Sequence, residues 1–223
     1  MIAYAGGLRY SEARMELYFL GALLAVAALS SGCAVLGPRA ESYVAPPLGS
    51  TWTALERNTG SYGAGEVQVQ SKRGERTWQG KQVLVFSSSR GSTLFNPDDF
   101  AVLAVLGPNG STVLSYDPPF VFDFPLYVGK SWMKSVQFTV HATNRTIPYD
   151  VRCNVANYEK VAVPAENFNA FKIECSNSIG TEESFWFSPE LGFNPKVSFK
   201  RSASNPSGAG TRDSELLSQD IRK

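Results

Sequence analysis

At 223 residues with a formal net charge of +1, the chain has room for one large or two small domains and lacks the basic excess that a phosphate backbone demands. Hydrophobic residues make up 43% and charged residues 18%, which excludes a disordered polyelectrolyte and points to a packed core. Aromatics at 12%, with 19 Gly and 13 Pro, lean toward β-structure with many turns.

The N-terminus comes first in chain order. Leu17 to Leu29 is an uncharged apolar run preceded by Arg9 and Arg14. Its length suits the apolar region of a signal peptide and falls short of the ~20 residues that span a bilayer. Ser30, Ser31 and Gly32 then lead into Cys33. This resembles the bacterial lipobox, with Ser30 standing where Leu is usual. The resemblance implies cleavage before Cys33 and a thioether-linked diacylglycerol on it. An ordinary secretory signal cut nearby and an uncleaved anchor reaching Leu36 are the alternatives, and Met15 is an alternative start. Ala34, rather than Asp, follows the cysteine, which by the same resemblance favours delivery to the outer membrane. The expected organisation is a lipoprotein signal peptide at 1–32, a tether at 33–49 and a single all-β domain at 50–223.

Beyond the tether, period-two patterns recur between turn signals, without helical periodicity. Strands are predicted from Ser50, at Glu66–Ser71, and at Glu75–Trp78 and Gln82–Ser87 around a Gln79-Gly80-Lys81 turn. Residues 58–65 read as a loop. Thr93–Phe95 precedes a turn at Asn96-Pro97-Asp98-Asp99. Phe100–Leu106 and Ser111–Tyr116 flank Gly107-Pro108-Asn109-Gly110, the clearest hairpin signal. Asp117-Pro118-Pro119 breaks the pattern. A long strand is predicted at Trp132–Thr143. Tyr149–Val163 and Phe168–Ser178 follow around Pro164–Asn167, then Glu182–Phe187 and Lys196–Arg201 around Pro189–Gly192, and last a closing strand at Ser214–Ile221. Consecutive hairpins predict an all-β antiparallel meander forming a sandwich or open half-barrel.

Of three cysteines, lipidation consumes Cys33 and leaves Cys153 and Cys175 for a disulfide in an oxidising compartment. With these two opposite each other in antiparallel strands, Val155 faces Ile173, Asn154 faces Glu174 and Arg152 faces Ser176. One face is then apolar and the other polar. The sorting fails at the ends, where Val151 meets Asn177 and Asn157 meets Phe171. Two buried free thiols are the alternative.

Several motifs follow one another in the second half. They are Ser115-Tyr116-Asp117-Pro118-Pro119, Phe124-Pro125-Leu126 with Val128-Gly129-Lys130-Ser131-Trp132, Tyr158 to Ala165 with Ala170-Phe171-Lys172-Ile173, and Phe185-Trp186-Phe187-Ser188-Pro189-Glu190-Leu191-Gly192. This order resembles a group of uncharacterised exported bacterial β-domain lipoproteins, a domain family of unknown function. The resemblance spans about Thr93 to Lys200. It implies the fold and export, and no catalytic residues.

Candidate chemistry is sparse. His141 is the only histidine, placed on the polar face of a predicted strand, so a multi-histidine metal site is ruled out and no metal or cofactor is expected. Ser131 and Lys134 match Ser-x-x-Lys, but within a strand pattern and without the companion motifs. Asp98-Asp99 and Glu182-Glu183 are paired acids whose members point to opposite faces when extended, and read as turn and surface groups. Phe120, Phe122 and Phe124 would share one face of an extended segment and are a candidate apolar groove, with core packing as the plainer reading. The functional expectation is an outer-membrane lipoprotein facing the periplasm, with a non-enzymatic binding or structural role. Its partners would be the membrane, through the lipid anchor, and an envelope protein or acyl-chain ligand, with no nucleic acid. The alternatives are a hydrolase using carboxylates that the fold assembles and a periplasmic carrier of a hydrophobic ligand.

Overall fold

A computed structural model describes residues 37–221. The expected signal peptide and Cys33 lie outside the described residues. In chain order the strands are β1 (Arg39–Ala40), β2 (Thr51–Gly60), β3 (Gly65–Trp78), β4 (Lys81–Ser88), β5 (Gly91–Phe95), β6 (Val102–Leu106), β7 (Thr112–Phe120), β8 (Leu126–Tyr127), β9 (Ser131–Val140), β10 (Arg145–Ala162), β11 (Asn167–Asn177), β12 (Thr181–Ser188), β13 (Phe193–Arg201) and β14 (Gly210–Asp220). All pairings are antiparallel.

The expected meander is present, but it is neither a sandwich nor an open half-barrel. Twelve strands close into one barrel, and β1 pairs with β8 separately. Closure is made by β14 returning to β2, from Gly210↔Gly60 to Asp220↔Thr51. Both strands thereby lose the free edge that an open sheet would expose. The predicted loop at 58–65 concealed this, because residues 58–60 belong to β2 and Asn58 pairs with Arg212. The two strands predicted at 66–71 and 75–78 are one 14-residue strand, β3.

Asp117-Pro118-Pro119 does not end β7. The β6–β7 register jumps from Ala104↔Ser115 to Val102↔Phe120, so the prolines sit in extra residues that owe the ladder no N–H. The strand predicted to reach Thr143 stops at Val140, and residues 141–144 form the turn into β10. Asn144 takes a positive φ of 47° there, a conformation Asn tolerates well.

Side chains sort by alternation. Val151, Cys153 and Val155 on β10, and Phe171, Ile173 and Cys175 on β11, are buried inside. Arg152 and Asn154 lie exposed outside, with Lys172 and Glu174 paired on that same outer face. This sorting is the reverse of a membrane-spanning barrel, whose lipid-facing band is apolar. Among the described residues no helix is long and apolar enough to cross a membrane.

The stretch expected to be a free tether is largely built into the fold. Arg39 pairs with Tyr127 and Ala40 with Leu126. Tyr43 is buried, stacks on Phe100 at 4.7 Å between centroids, and donates its hydroxyl hydrogen to Gly192 O at 3.1 Å. Gly49 N donates to Arg73 O. The segment carries Tyr43, Ala40 and Ala45, whose burial against the core outweighs the freedom of a Pro-containing linker.

Candidate functional site

The barrel interior is not completely filled. A cavity of about 380 Å³ lies among rings supplied by five places in the chain: Phe95, Phe100, Phe120, Phe122, Phe185 and Phe199. Register explains the convergence. Cys153, Cys175, Glu183, Phe199, Arg212 and Asn58 are successive cross-strand partners and form one inner ring. Ile173, Phe185, Val197, Ser214 and Glu56 form the next. Phe100 adopts a positive φ of 61°, a strained state for a bulky residue, and its ring stacks on Phe95 at 4.5 Å.

The polar groups on the wall fall into two sets. Glu56 is ion-paired: Arg90 Nη2 donates to its Oε1 at 2.7 Å, and Arg212 Nε faces its Oε2 at 3.6 Å, which leaves Oε2 without a hydrogen bond. Arg212 also donates from Nε to Asn58 Oδ1 at 2.9 Å. The second set is Glu183, Tyr116 and Tyr149, which make no hydrogen bond or salt bridge among the described residues. Asn194 Oδ1, like Glu56 Oε2, is a buried wall atom without a hydrogen-bond donor.

Burial pushes the Glu183 carboxyl up to about 7, against the pull of the Arg201 guanidinium. Burial likewise pushes the Tyr116 phenol up to about 12, with the Glu183 charge adding to it. Tyr149 is raised for the same reason, with Tyr116 and Glu183 contributing. Arg201 does not close on Glu183. Its guanidinium lies over the Tyr62 ring at 3.9 Å, and Nη1 donates to Ser61 Oγ at 3.3 Å.

Two features lie close to this region in the chain. β7 and β9 share only three paired positions, Leu114↔Val140, Ser115↔Thr139 and Tyr116↔Phe138, so the barrel's joint is short beside Tyr116. Past Phe120 the chain leaves strand geometry. Lys130 Nζ then clamps the turn, donating to Asp123 O and to Pro125 O and pairing with the Asp123 carboxylate at 3.0 Å.

The phenylalanine run is therefore not one face of an extended segment. Phe120 and Phe122 line the cavity. Phe124 lies outside the lining and packs edge-on to Phe187 at 5.7 Å. Cys153 and Cys175 are joined as a disulfide inside the barrel, in the expected register. The anticipated clash of Asn157 with Phe171 is relieved by a bulge between Val155 and Asn157, which sets Tyr158 opposite Phe171. Val151 does face Asn177.

His141 lies in the exposed turn after β9, where Nε2 meets Ser115 Oγ at 2.9 Å. Ser131 and Lys134 are exposed on β9. Among the described residues no three His, Cys, Asp or Glu stand together as a metal site. The Glu182-Glu183 pair splits as extended geometry requires. Glu182 is exposed beside Lys200, while Glu183 points inward, against the surface reading. The signal was available: Glu183, Phe185 and Phe187 alternate on one face.

No protein-family model matches the chain, and no curated protein matches it. Two solved structures match the chain at low identity. One is a "putative exported protein with YMCC-like fold" from Bacteroides fragilis, at 10% identity and TM-score 0.45, covering 81% of this chain and 99% of that one. The other is a "putative lipoprotein" from Parabacteroides distasonis, at 11% identity and TM-score 0.42, again covering 81% and 99%.

Proposed function

We propose that the chain is an exported lipoprotein, anchored through Cys33, whose barrel binds a largely apolar ligand in its interior and performs no chemistry on it. The observation that carries this reading is the cavity of about 380 Å³, walled by aromatic rings with a small set of polar groups that make no hydrogen bond to the described residues. That composition is the usual one for a small-molecule site. The hydrolase alternative would draw on Glu56 and Glu183, but two arginines engage Glu56 and leave a single free carboxyl. The apolar run at 17–29, the Gly32-Cys33 junction and an internal disulfide all support export with lipidation.

The binding claim is tested with N-phenyl-1-naphthylamine, a neutral dye that fluoresces in apolar surroundings. The protein is the Cys33→Ser form, which carries no acyl chain. One saturable site per chain is expected. Ser214→Phe, which fills the cavity from β14, should abolish it while thermal unfolding stays cooperative. Binding that survives Ser214→Phe, or no saturable binding, would overturn the reading.

A further inference from the structure

We infer that the polar side of the cavity is an ammonium site, and that the ligand is an apolar amine: one cationic head on a hydrocarbon or aromatic body. This deepens the reading of the cavity as a ligand site and rests on it. The cations near the wall are already committed. Arg212 and Arg90 serve Glu56 and Asn58, and Arg201 is stacked on Tyr62 and hydrogen-bonded to Ser61. Glu183 is left as the wall carboxyl with no cation at contact distance among the described residues. Around it stand Tyr116 from β7, Tyr149 from β10 and Phe199 from β13. Aromatic faces carry negative potential and attract a cation, most strongly where water is excluded. The two phenol oxygens, free of protein hydrogen bonds, are ready acceptors for ammonium N–H groups.

Other head groups fit this wall less well. A carboxylate would meet the like charge of Glu183 or force it to take up a proton. A hydroxyl would leave an ionised Glu183 in a weakly polar cavity without a counter-charge at contact distance, which is costly. An ammonium satisfies both the carboxylate and the phenols. It also favours ionised Glu183 and so draws its proton off. The other charged and titratable groups around Glu183 are Arg201 on β13, Arg212 on β14, Glu56 on β2, Tyr62 in the turn after β2, and Tyr116 and Tyr149. The raised phenols stay neutral between pH 5.5 and 8, whereas Glu183, pushed up to about 7, titrates there.

The test is calorimetric titration of the Cys33→Ser protein with n-octylammonium, n-octanol and n-octanoate, three probes with one tail and different heads. At pH 8 octylammonium is expected to bind about tenfold tighter than octanol, as befits a charge-assisted contact, with octanoate weakest. At pH 5.5 the advantage should shrink, because Glu183 is then protonated while the amine remains charged. Glu183→Gln should bring the amine-to-alcohol ratio close to one at both pH values, and retained octanol binding would show that its cavity is intact. The pH series on the unsubstituted residue reads the same effect without relying on that variant. Octanol or octanoate binding as tightly as octylammonium at pH 8 overturns the ammonium site and leaves the cavity reading standing. Failure of all three probes to bind overturns both.

Discussion

Glu183 holds its proton in the folded barrel to about pH 7, whereas an ordinary glutamate gives it up near 4.5. Between those values the folded state binds more protons than the unfolded one, so this residue makes stability fall as pH rises. Its favourable contribution is full below the unfolded value and is lost as pH rises through the folded one. Chemical denaturation of Glu183→Gln beside the unsubstituted protein should show the variant's relative stability growing from about pH 5 to about pH 7.5 and then levelling. A flat difference would mean that Glu183 is solvated like a surface acid. Glu215 works the other way, because hydrogen bonds from Lys196 and Arg57 hold its carboxyl low. Taking the difference between the two proteins removes that background.

Tyr43 gives a second test at the same scale. Tyr43→Phe removes one buried hydroxyl bond to Gly192 O and should cost about 1 kcal/mol. Tyr43→Ala also removes a ring packed on Phe100, Phe124 and Phe187, and should cost about 4 kcal/mol by the same denaturation measurement. Equal costs for the two would mean that the ring is not part of the core.

The β10–β11 hairpin was legible at the level of elements, because alternation around Cys153 and Cys175 fixes which faces turn inward. Its far end was not legible. The bulge between Val155 and Asn157 resets the faces, and a bulge has no period of its own. Removing the disulfide with Cys153→Ala and Cys175→Ala should cost about 3 kcal/mol, since it closes a segment with a separation of 22 residues. The β7–β9 joint was hidden for a related reason. Pro118 and Pro119 read as a strand end, and only register shows that β7 carries them out of the ladder and resumes at Phe120. With three paired positions, that joint should open more readily than β10–β11. Amide hydrogen exchange should therefore be fastest, within the barrel, along the facing edges of β7 and β9. Uniform protection around the barrel would contradict this expectation.

At the scale of the whole molecule, the all-β class and the meander follow from hairpin signals, but barrel closure does not. Closure depends on β14 meeting β2 across most of the chain's length, and local patterning carries no such information. The cavity was half legible. The phenylalanines at 120 and 122 were visible as an apolar cluster, and Glu183 was misread because its neighbour Glu182 drew it to the surface. The anchored-carrier account also sets an expectation for the cell. With Cys33 intact, membrane-extracted protein should have the mass of the chain cleaved before Cys33 plus acyl chains. Cys33→Ser should remove that added mass. An unmodified soluble mass from the unsubstituted gene would contradict the anchor.

The central claim is that the barrel interior receives a ligand, and methyl-resolved NMR of the Cys33→Ser protein titrated with n-octanol tests it most directly. The Val102 and Val197 methyls line the cavity and should shift together and saturate. Val83 and Leu216, buried in separate clusters, should stay in place. Shifts confined to exposed Val44, Leu48 and Val128, or none at any methyl, would contradict the account and leave a barrel whose interior serves only to hold it together.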